Sequence, residues 1–121
     1  MSKLILHVDD EPAIREVIAA SLEAEGYRVI SAGSSAETLA ALAQAQPDLV
    51  ITDLQLDDGD GLDIISQLRT RIPTVPIILL TGVLVDPRVA QRSLANQVDL
   101  YLPKTSPLMK ILEEVRRLAG K

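Results

Sequence analysis

Short apolar runs alternate with longer segments of helical periodicity along the whole chain. Five runs are apolar at consecutive positions and predict five strands, at 4–8, 27–30, 48–52, 77–80 and 98–102. Strands that are apolar without alternation are typical of a parallel sheet whose two faces are both covered. The pattern therefore favours an α/β domain with helices on both sides of the sheet.

Each apolar run is followed by a segment that predicts a helix. Asp10 is the predicted N-cap of the first helix, with Pro12 in its first turn and Gly26 at its end. Residues 34–37 read Ser-Ser-Ala-Glu, a capping box that opens the second helix. The third helix follows the loop 57–61, and Asp-Pro and Ser-Pro pairs begin the last two, at 86–87 and 106–107.

The order of these elements predicts a single domain over residues 1–121. Five βα units with right-handed crossovers give a doubly wound sheet. Either doubly wound strand order fits the pattern, and the flavodoxin-like order is 2-1-3-4-5. In such sheets ligands bind at the carboxyl ends of the strands, so the residues after each strand are the candidates for chemistry.

Composition excludes several classes of protein. The chain has no cysteine, so disulfides and thiolate metal sites are ruled out. Its formal net charge of −5 argues against direct binding to nucleic acid, and its two tyrosines are too few for a base-stacking platform. No apolar stretch is long enough to span a bilayer and no signal peptide is visible, so we expect a cytoplasmic protein with no membrane partner.

Acidic residues follow two strands that are neighbours in the flavodoxin-like order. Asp9 and Asp10 end strand 1, and Asp53 ends strand 3. Three carboxylates this close repel one another, at roughly 4 kcal/mol for two unit charges 4 Å apart at an effective dielectric of 20. Oxygen ligands without cysteine indicate Mg²⁺, with Mn²⁺ as a substitute. We expect a metal site that leaves positions open to phosphate oxygens.

Four motifs in order resemble those of response-regulator receiver domains, the family of two-component signalling. They are the acid pair after strand 1 (6–11), the strand and loop around Asp53 (50–53 and 59–62), the threonine-glycine end of strand 4 (78–82) and the Tyr-Leu-Pro-Lys end of strand 5 (101–104). The resemblance covers essentially the whole chain. It implies the order 2-1-3-4-5 and a phosphoryl-accepting signalling module.

The resemblance also implies a set of metal ligands. Asp53 would be the nucleophile that takes the phosphoryl group from a phosphohistidine, and it would also bind Mg²⁺. Asp10 would bind the metal directly and Asp9 mostly through water. The backbone carbonyl of Gln55 would complete the set. Lys104 would pair with the acids and then with a phosphoryl oxygen.

The switch residues are implied in the same way. Thr81 would hydrogen-bond the phosphoryl group and move toward it, and Tyr101 would turn inward when Thr81 moves. The implied output is a changed protein-interaction face on the predicted fourth helix, fifth strand and fifth helix. That face could also form a dimer. Implied partners are a sensor histidine kinase or phosphotransfer protein, and a downstream protein or attached effector domain.

The chain departs from the family pattern in its loops. Thr105 stands where the family usually has a proline after the lysine, and Asp57 stands where it usually has a proline four residues after the phosphorylated aspartate. We expect no enzyme beyond self-catalysed phosphoryl acceptance and slow autodephosphorylation. Whether the receiver stands alone or comes from a larger regulator or hybrid kinase is left open.

Three other functions were weighed against this one. A flavodoxin-like cofactor binder needs a phosphate cradle after strand 1, where this chain has acids. A magnesium-dependent phosphohydrolase typically has a second acid two residues after the nucleophile, where this chain has Gln55. A degenerate receiver that only binds partners is disfavoured by the complete set of acids, threonine and lysine.

Overall fold

A computed structural model describes residues 2–53, 55–56, 59–82 and 98–120. Five strands form one sheet in which every neighbouring pair is parallel, in the order β2-β1-β3-β4-β5. This is the predicted flavodoxin-like order 2-1-3-4-5. The strands are β1 (Leu4–Val8), β2 (Arg28–Ala32), β3 (Leu49–Thr52), β4 (Ile77–Thr81) and β5 (Leu100–Pro103).

Helices cover both faces of this sheet. They are α1 (Pro12–Ala24), α2 (Ser35–Gln44), α3 (Gly61–Arg71) and the last helix (Leu108–Ala119). The predicted helix beginning at Asp86 lies outside the described residues. Within the described ranges, no helix combines the length and the apolarity that crossing a bilayer demands.

The core consists of two apolar layers, one on each side of the sheet. Successive strand residues point to opposite faces, so Ile5 joins one layer and Leu6 the other. The first layer packs α1 and the last helix through side chains such as Ile18 and Ile111. The second packs α2 and α3. Burial on both faces explains why the strand sequences do not alternate.

The start of α1 corrects one prediction. Asp10 is not the N-cap, because that position belongs to Glu11, whose φ of −91° and ψ of 110° are extended. Pro12 is then the first helical residue, as its fixed φ and missing N–H favour. The shift by one residue leaves Asp10 beside Asp9 at the end of β1.

The predicted start of α2 and the predicted end of α1 are confirmed. Ser34 is the N-cap of α2, and its hydroxyl accepts a hydrogen bond from the Glu37 amide at 3.1 Å. The Glu37 carboxylate turns back and accepts from the Gly33 amide at 3.2 Å. After α1, Gly26 adopts a φ of +95°, a conformation that side chains disfavour, and the chain turns into β2.

The loop after β3 contains more structure than the sequence indicates. Gln55–Leu56 pairs antiparallel with Gly59–Asp60 in a short hairpin, and α3 begins directly after it. Asp57 and Asp58 lie outside the described residues. The hairpin leads the chain from the end of β3 into α3 on the second face of the sheet.

Candidate functional site

The backbone ladder continues one residue beyond the ends of β1, β3 and β5. The Asp9 amide donates to the Ala32 carbonyl at 3.0 Å, and the Asp53 amide donates to the Val8 carbonyl at 3.2 Å. The Lys104 amide donates to the Thr81 carbonyl at 3.0 Å. These bonds hold the first residue after each strand in sheet register. The predicted acids and lysine are therefore positioned by the sheet itself.

One lysine contacts three carboxylates at this edge of the sheet. The Lys104 Nζ lies 2.8 Å from Asp53 Oδ2, 3.0 Å from Asp9 Oδ2 and 3.0 Å from Glu11 Oε1. Asp9 and Asp53 are buried, with 1% and 4% of their surfaces exposed. Burying a carboxylate costs free energy unless an opposite charge compensates for it. Among the described residues, the Lys104 ammonium group contacts both buried carboxylates and offsets their repulsion.

These contacts control the ionisation of Lys104. Burial by itself lowers the pKa of an ammonium group, but hydrogen bonds to Asp53, Asp9 and Glu11 outweigh it, and the pKa of Lys104 is raised above its usual value. The lysine is therefore positively charged throughout the physiological range. It remains a fixed cation at the bottom of an acidic pocket.

The three aspartates fit a small hard cation. Asp9, Asp10 and Asp53 each offer a carboxylate oxygen, and these atoms lie within 4.8 Å of one another. The Asp9 Oδ1 accepts from the Glu11 amide at 2.9 Å, whereas the buried Oδ2 has the lysine as its ion-pair contact and accepts no hydrogen bond from the described residues. An oxygen-only donor set of this spacing suits Mg²⁺.

The cluster opens into a cavity of about 610 Å³ at the carboxyl edge of the sheet. Its lining includes Asp10, Asp53, Gly82 and Lys104, so acidic and basic groups face the same space. A Cβ added to Gly82 would lie 3.7 Å from the Lys104 side chain, an ordinary contact distance. The cavity is large enough for a phosphoryl group beside a hydrated cation.

The predicted switch residues lie on adjacent strands. Thr81 ends β4 and is buried, while Tyr101 in β5 is 37% exposed. Their strands pair so that Thr81 is opposite Pro103 and Tyr101 is opposite Leu79. Gln55 lies in the hairpin two residues after Asp53. The roles assigned to Thr81, Tyr101 and the Gln55 carbonyl remain predictions.

His7 lies buried in β1, two residues before Asp9. Only 1% of its surface is exposed, and its Nδ1 has no hydrogen-bond partner among the described residues. Burial, followed by the charges of Lys104 and Arg15, lowers the pKa of His7 to about 4. The imidazole is therefore neutral near pH 7 and packs as a buried residue of the strand.

Sequence reasoning missed two residues that shape the site. Glu11 follows the acid pair after β1, and its carboxylate reaches Lys104. Arg15 donates from Nη1 to the Asp9 carbonyl, and a Cβ on Gly33 would lie 2.7 Å from that nitrogen. The signal for Arg15 was its place one turn after the acids, but the close approach of Gly33 depends on the fold.

Comparison with known proteins identifies the class of this chain. Residues 5–116 match the response regulator receiver domain family. The chain therefore belongs to that family and is a receiver domain of two-component signalling.

Two curated relatives show how much of a larger protein this chain covers. It is 34% identical over 115 residues to the probable transcriptional regulatory protein TcrX of Mycobacterium tuberculosis, covering 94% of this chain and 48% of the relative. It is 39% identical over 119 residues to the response regulator MprA of Mycobacterium ulcerans, covering 98% and 50%. The chain thus spans about half the length of these relatives.

Solved structures share the fold over nearly the whole chain. The chemotaxis response regulator CheY4 of Vibrio cholerae superposes with a TM-score of 0.88 at 26% identity, covering 98% of this chain and 99% of that one. The response regulator TrrA of Thermotoga maritima, solved in complex with Mg²⁺ and BeF, gives 0.83 at 33% identity, covering 96% and 98%.

Proposed function

We propose that this receiver accepts a phosphoryl group on Asp53 in a Mg²⁺-dependent reaction, from a phosphohistidine of a sensor histidine kinase or phosphotransfer protein. The observation that carries the proposal is the convergence of carboxylate oxygens from Asp9, Asp10 and Asp53 to within 4.8 Å of one another, with Lys104 in contact with two of these residues. The Mg²⁺–BeF complex of the related TrrA supports the choice of metal. Mn²⁺, which also prefers oxygen ligands, is proposed as a substitute.

The chain's own residues would position and neutralise the reacting groups. An Asp53 carboxylate oxygen attacks phosphorus, and the bond from phosphorus to the histidine nitrogen breaks as the new P–O bond forms. Such a transfer depends mainly on in-line positioning and on stabilising the equatorial oxygens. Lys104 supplies a fixed positive charge, and the Thr81 hydroxyl supplies a donor. Bound Mg²⁺, held by Asp9, Asp10, Asp53 and the Gln55 carbonyl, would neutralise phosphoryl oxygens.

The receiver is both the catalyst and the acceptor of the phosphoryl group, and the phosphodonor is the other reactant. The receiver catalyses its own phosphorylation and slowly hydrolyses its own acyl phosphate, and it turns over no separate substrate. The phosphoryl group adds local negative charge that Lys104 and Thr81 would meet. When Thr81 moves toward the phosphoryl group, Tyr101 on the adjacent strand would turn inward.

The output is proposed to be an altered protein-interaction face that includes β5 and the last helix. Tyr101, Leu108 and Met109 are its exposed large apolar residues among those described. The predicted fourth helix would complete the face. The cytoplasmic partner would be a downstream protein, a second receiver or an attached effector domain, since the curated relatives are about twice as long as this chain.

Intact mass spectrometry after incubation with acetyl phosphate and Mg²⁺ tests the acceptor. We expect one added phosphoryl group, which does not form when the metal is chelated beforehand and is absent in Asp53→Asn. Asp63→Asn, the same change at an exposed aspartate of α3, should accept normally. An adduct that persists in Asp53→Asn would overturn the assignment of the nucleophile.

Beryllofluoride distinguishes rapid hydrolysis from an inactive site. If no adduct accumulates but beryllofluoride with Mg²⁺ slows amide exchange around Asp53, the phosphoryl group is short-lived. Failure of both would indicate a receiver that only binds partners. The same exchange data test the output, because unchanged exchange in β5 and the last helix would contradict the proposed face.

A further inference from the structure

Glu11 differs from the other two carboxylates that contact Lys104. It occupies the N-cap position of α1, yet its side chain makes no capping hydrogen bond. Its Oε1 instead accepts from the Lys104 Nζ at 3.0 Å. Its side chain is 59% exposed, whereas Asp9 and Asp53 are buried. The Glu11 carboxylate therefore stands on the solvent side of the lysine.

Glu11 also lines the cavity through which a phosphodonor would reach Asp53. Its carboxylate and that of Asp53 contact the same Nζ, at 3.0 and 2.8 Å, so the two negative charges lie close together. The exposed Glu11 carboxylate therefore adds negative charge beside the lysine that an anionic phosphoryl group would contact. Repulsion between like charges grows with the charge of the donor.

We propose that Glu11 is a specificity-determining residue, whose carboxylate at the cavity mouth disfavours doubly charged small phosphodonors and strengthens metal binding. This inference rests on the function proposed above and assigns part of it to a residue with no role there. Glu11 touches none of the reacting atoms. It acts through its negative charge and through its ion pair with Lys104.

Two small donors that differ in charge separate this role from a structural one. In acetyl phosphate the P–O bond to the acetyl group breaks and acetate leaves with the electron pair. In phosphoramidate the P–N bond breaks and ammonia leaves. Both deliver the same phosphoryl group to the same Asp53 oxygen, but acetyl phosphate is doubly charged near neutral pH and phosphoramidate singly charged.

The test compares the phosphorylation rates of the full chain with the two donors at saturating Mg²⁺ and fixed ionic strength. In Glu11→Gln we expect the acetyl phosphate rate, relative to the phosphoramidate rate, to rise about threefold because repulsion at the mouth is removed. Glu23→Gln makes the same charge change at the exposed far end of α1 and should leave the ratio unchanged. Equal changes with both donors, or none, would overturn the proposal.

Metal binding provides a readout that needs no phosphodonor. Isothermal titration of Mg²⁺ should show a Kd about threefold higher in Glu11→Gln, because the site loses one nearby negative charge. Glu23→Gln should bind Mg²⁺ like the unchanged chain, and both variants should unfold at the same urea concentration. A Kd that does not distinguish the two variants overturns the role of Glu11. A chain that binds Mg²⁺ as expected but takes no phosphoryl group would instead contradict the proposed function.

Discussion

At the amino-end edge of the sheet, two aspartates each accept a hydrogen bond from the first amide of a neighbouring strand. Asp48 Oδ2 accepts from Leu4 at 2.8 Å, and Asp99 Oδ2 accepts from Ile77 at 2.8 Å. At the carboxyl-end edge, Asp9 and Asp53 share one lysine instead. Aspartate thus completes the backbone hydrogen bonding of the sheet at one edge and forms a cluster of charged groups with Lys104 at the other.

This contrast indicates how the fold separates stability from chemistry. A carboxylate that accepts a strand amide supplies a hydrogen bond that the sheet would otherwise lack, and so contributes to stability. The carboxylates at the opposite edge are buried close together, which costs free energy unless a cation is present. We therefore expect changes at the two edges to have different sensitivity to Mg²⁺.

The largest effect is expected from removing Lys104, the cation that contacts Asp9 and Asp53 at the carboxyl-end edge of the sheet (the acidic edge). Lys104→Met removes the ammonium group that contacts the buried Asp9 and Asp53, and in metal-free buffer it should lower the free energy of unfolding by about 3 kcal/mol. Added Mg²⁺ should stabilise the variant more than it stabilises the unchanged chain. Urea denaturation with and without Mg²⁺ measures both quantities.

Lys110→Met is the control for this change. Lys110, whose side chain is half exposed, pairs with Glu114 one turn along the last helix at 3.0 Å. Its loss should cost at most about 0.5 kcal/mol, independently of Mg²⁺. If Lys104→Met were no more destabilising than Lys110→Met, the acidic edge would not depend on the lysine.

The amino-end edge should lose stability without losing metal affinity. Asp99→Ala removes the acceptor of the Ile77 amide and the ion pair with Arg69 at 2.9 Å, and it should cost about 2 kcal/mol. Asp99→Asn keeps an acceptor oxygen and should recover most of this loss. Calorimetric Mg²⁺ titration should give the same Kd for both variants and the unchanged chain, and a weaker affinity would show that the two edges are coupled.

The sequence predicted the strands well because burial on both faces leaves a clear signal of consecutive apolar residues. It was less accurate at the two edge strands: β2, predicted over 27–30, is observed at Arg28–Ala32, and β5, predicted over 98–102, is observed at Leu100–Pro103. Only part of that strand is buried, so the pairing with β4 sets its limits: Ile78 is paired with Leu100, and the Asp99 carboxylate accepts the Ile77 amide. Such a limit depends on another strand, which local sequence does not contain.

The candidate site was predictable where residues follow strands directly. Asp9, Asp53 and Lys104 could be expected to meet, because parallel strands bring their carboxyl ends to one edge. The role of Glu11 could not be expected, since an acid at the start of a helix ordinarily favours the helix terminus. Its contact with Lys104, which is 93 residues away, arises only from the folded chain.

The smallest expected effect is a loss of folding stability at acidic pH, which we attribute to the buried His7 in β1. The pKa of His7 is lowered to about 4, from 6.5, by burial and then by the charges of Lys104 and Arg15. Between these two values the unfolded chain binds a proton that the folded chain does not. Stability is therefore lost as the pH falls below about 6.5, and the loss between pH 7 and 5.5 should be about 1 kcal/mol.

His7 is the only histidine in the chain, so the effect can be assigned to one residue. In metal-free buffer, His7→Leu should remove most of the dependence of the unfolding free energy on pH over this range, whatever it does to the stability at pH 7. Urea denaturation at pH 7 and 5.5 measures the difference for each protein. If the unfolding free energy changed equally with pH in the unchanged chain and in His7→Leu, His7 would not be the cause. The carboxylates of the acidic edge would then be the groups that bind protons in this range.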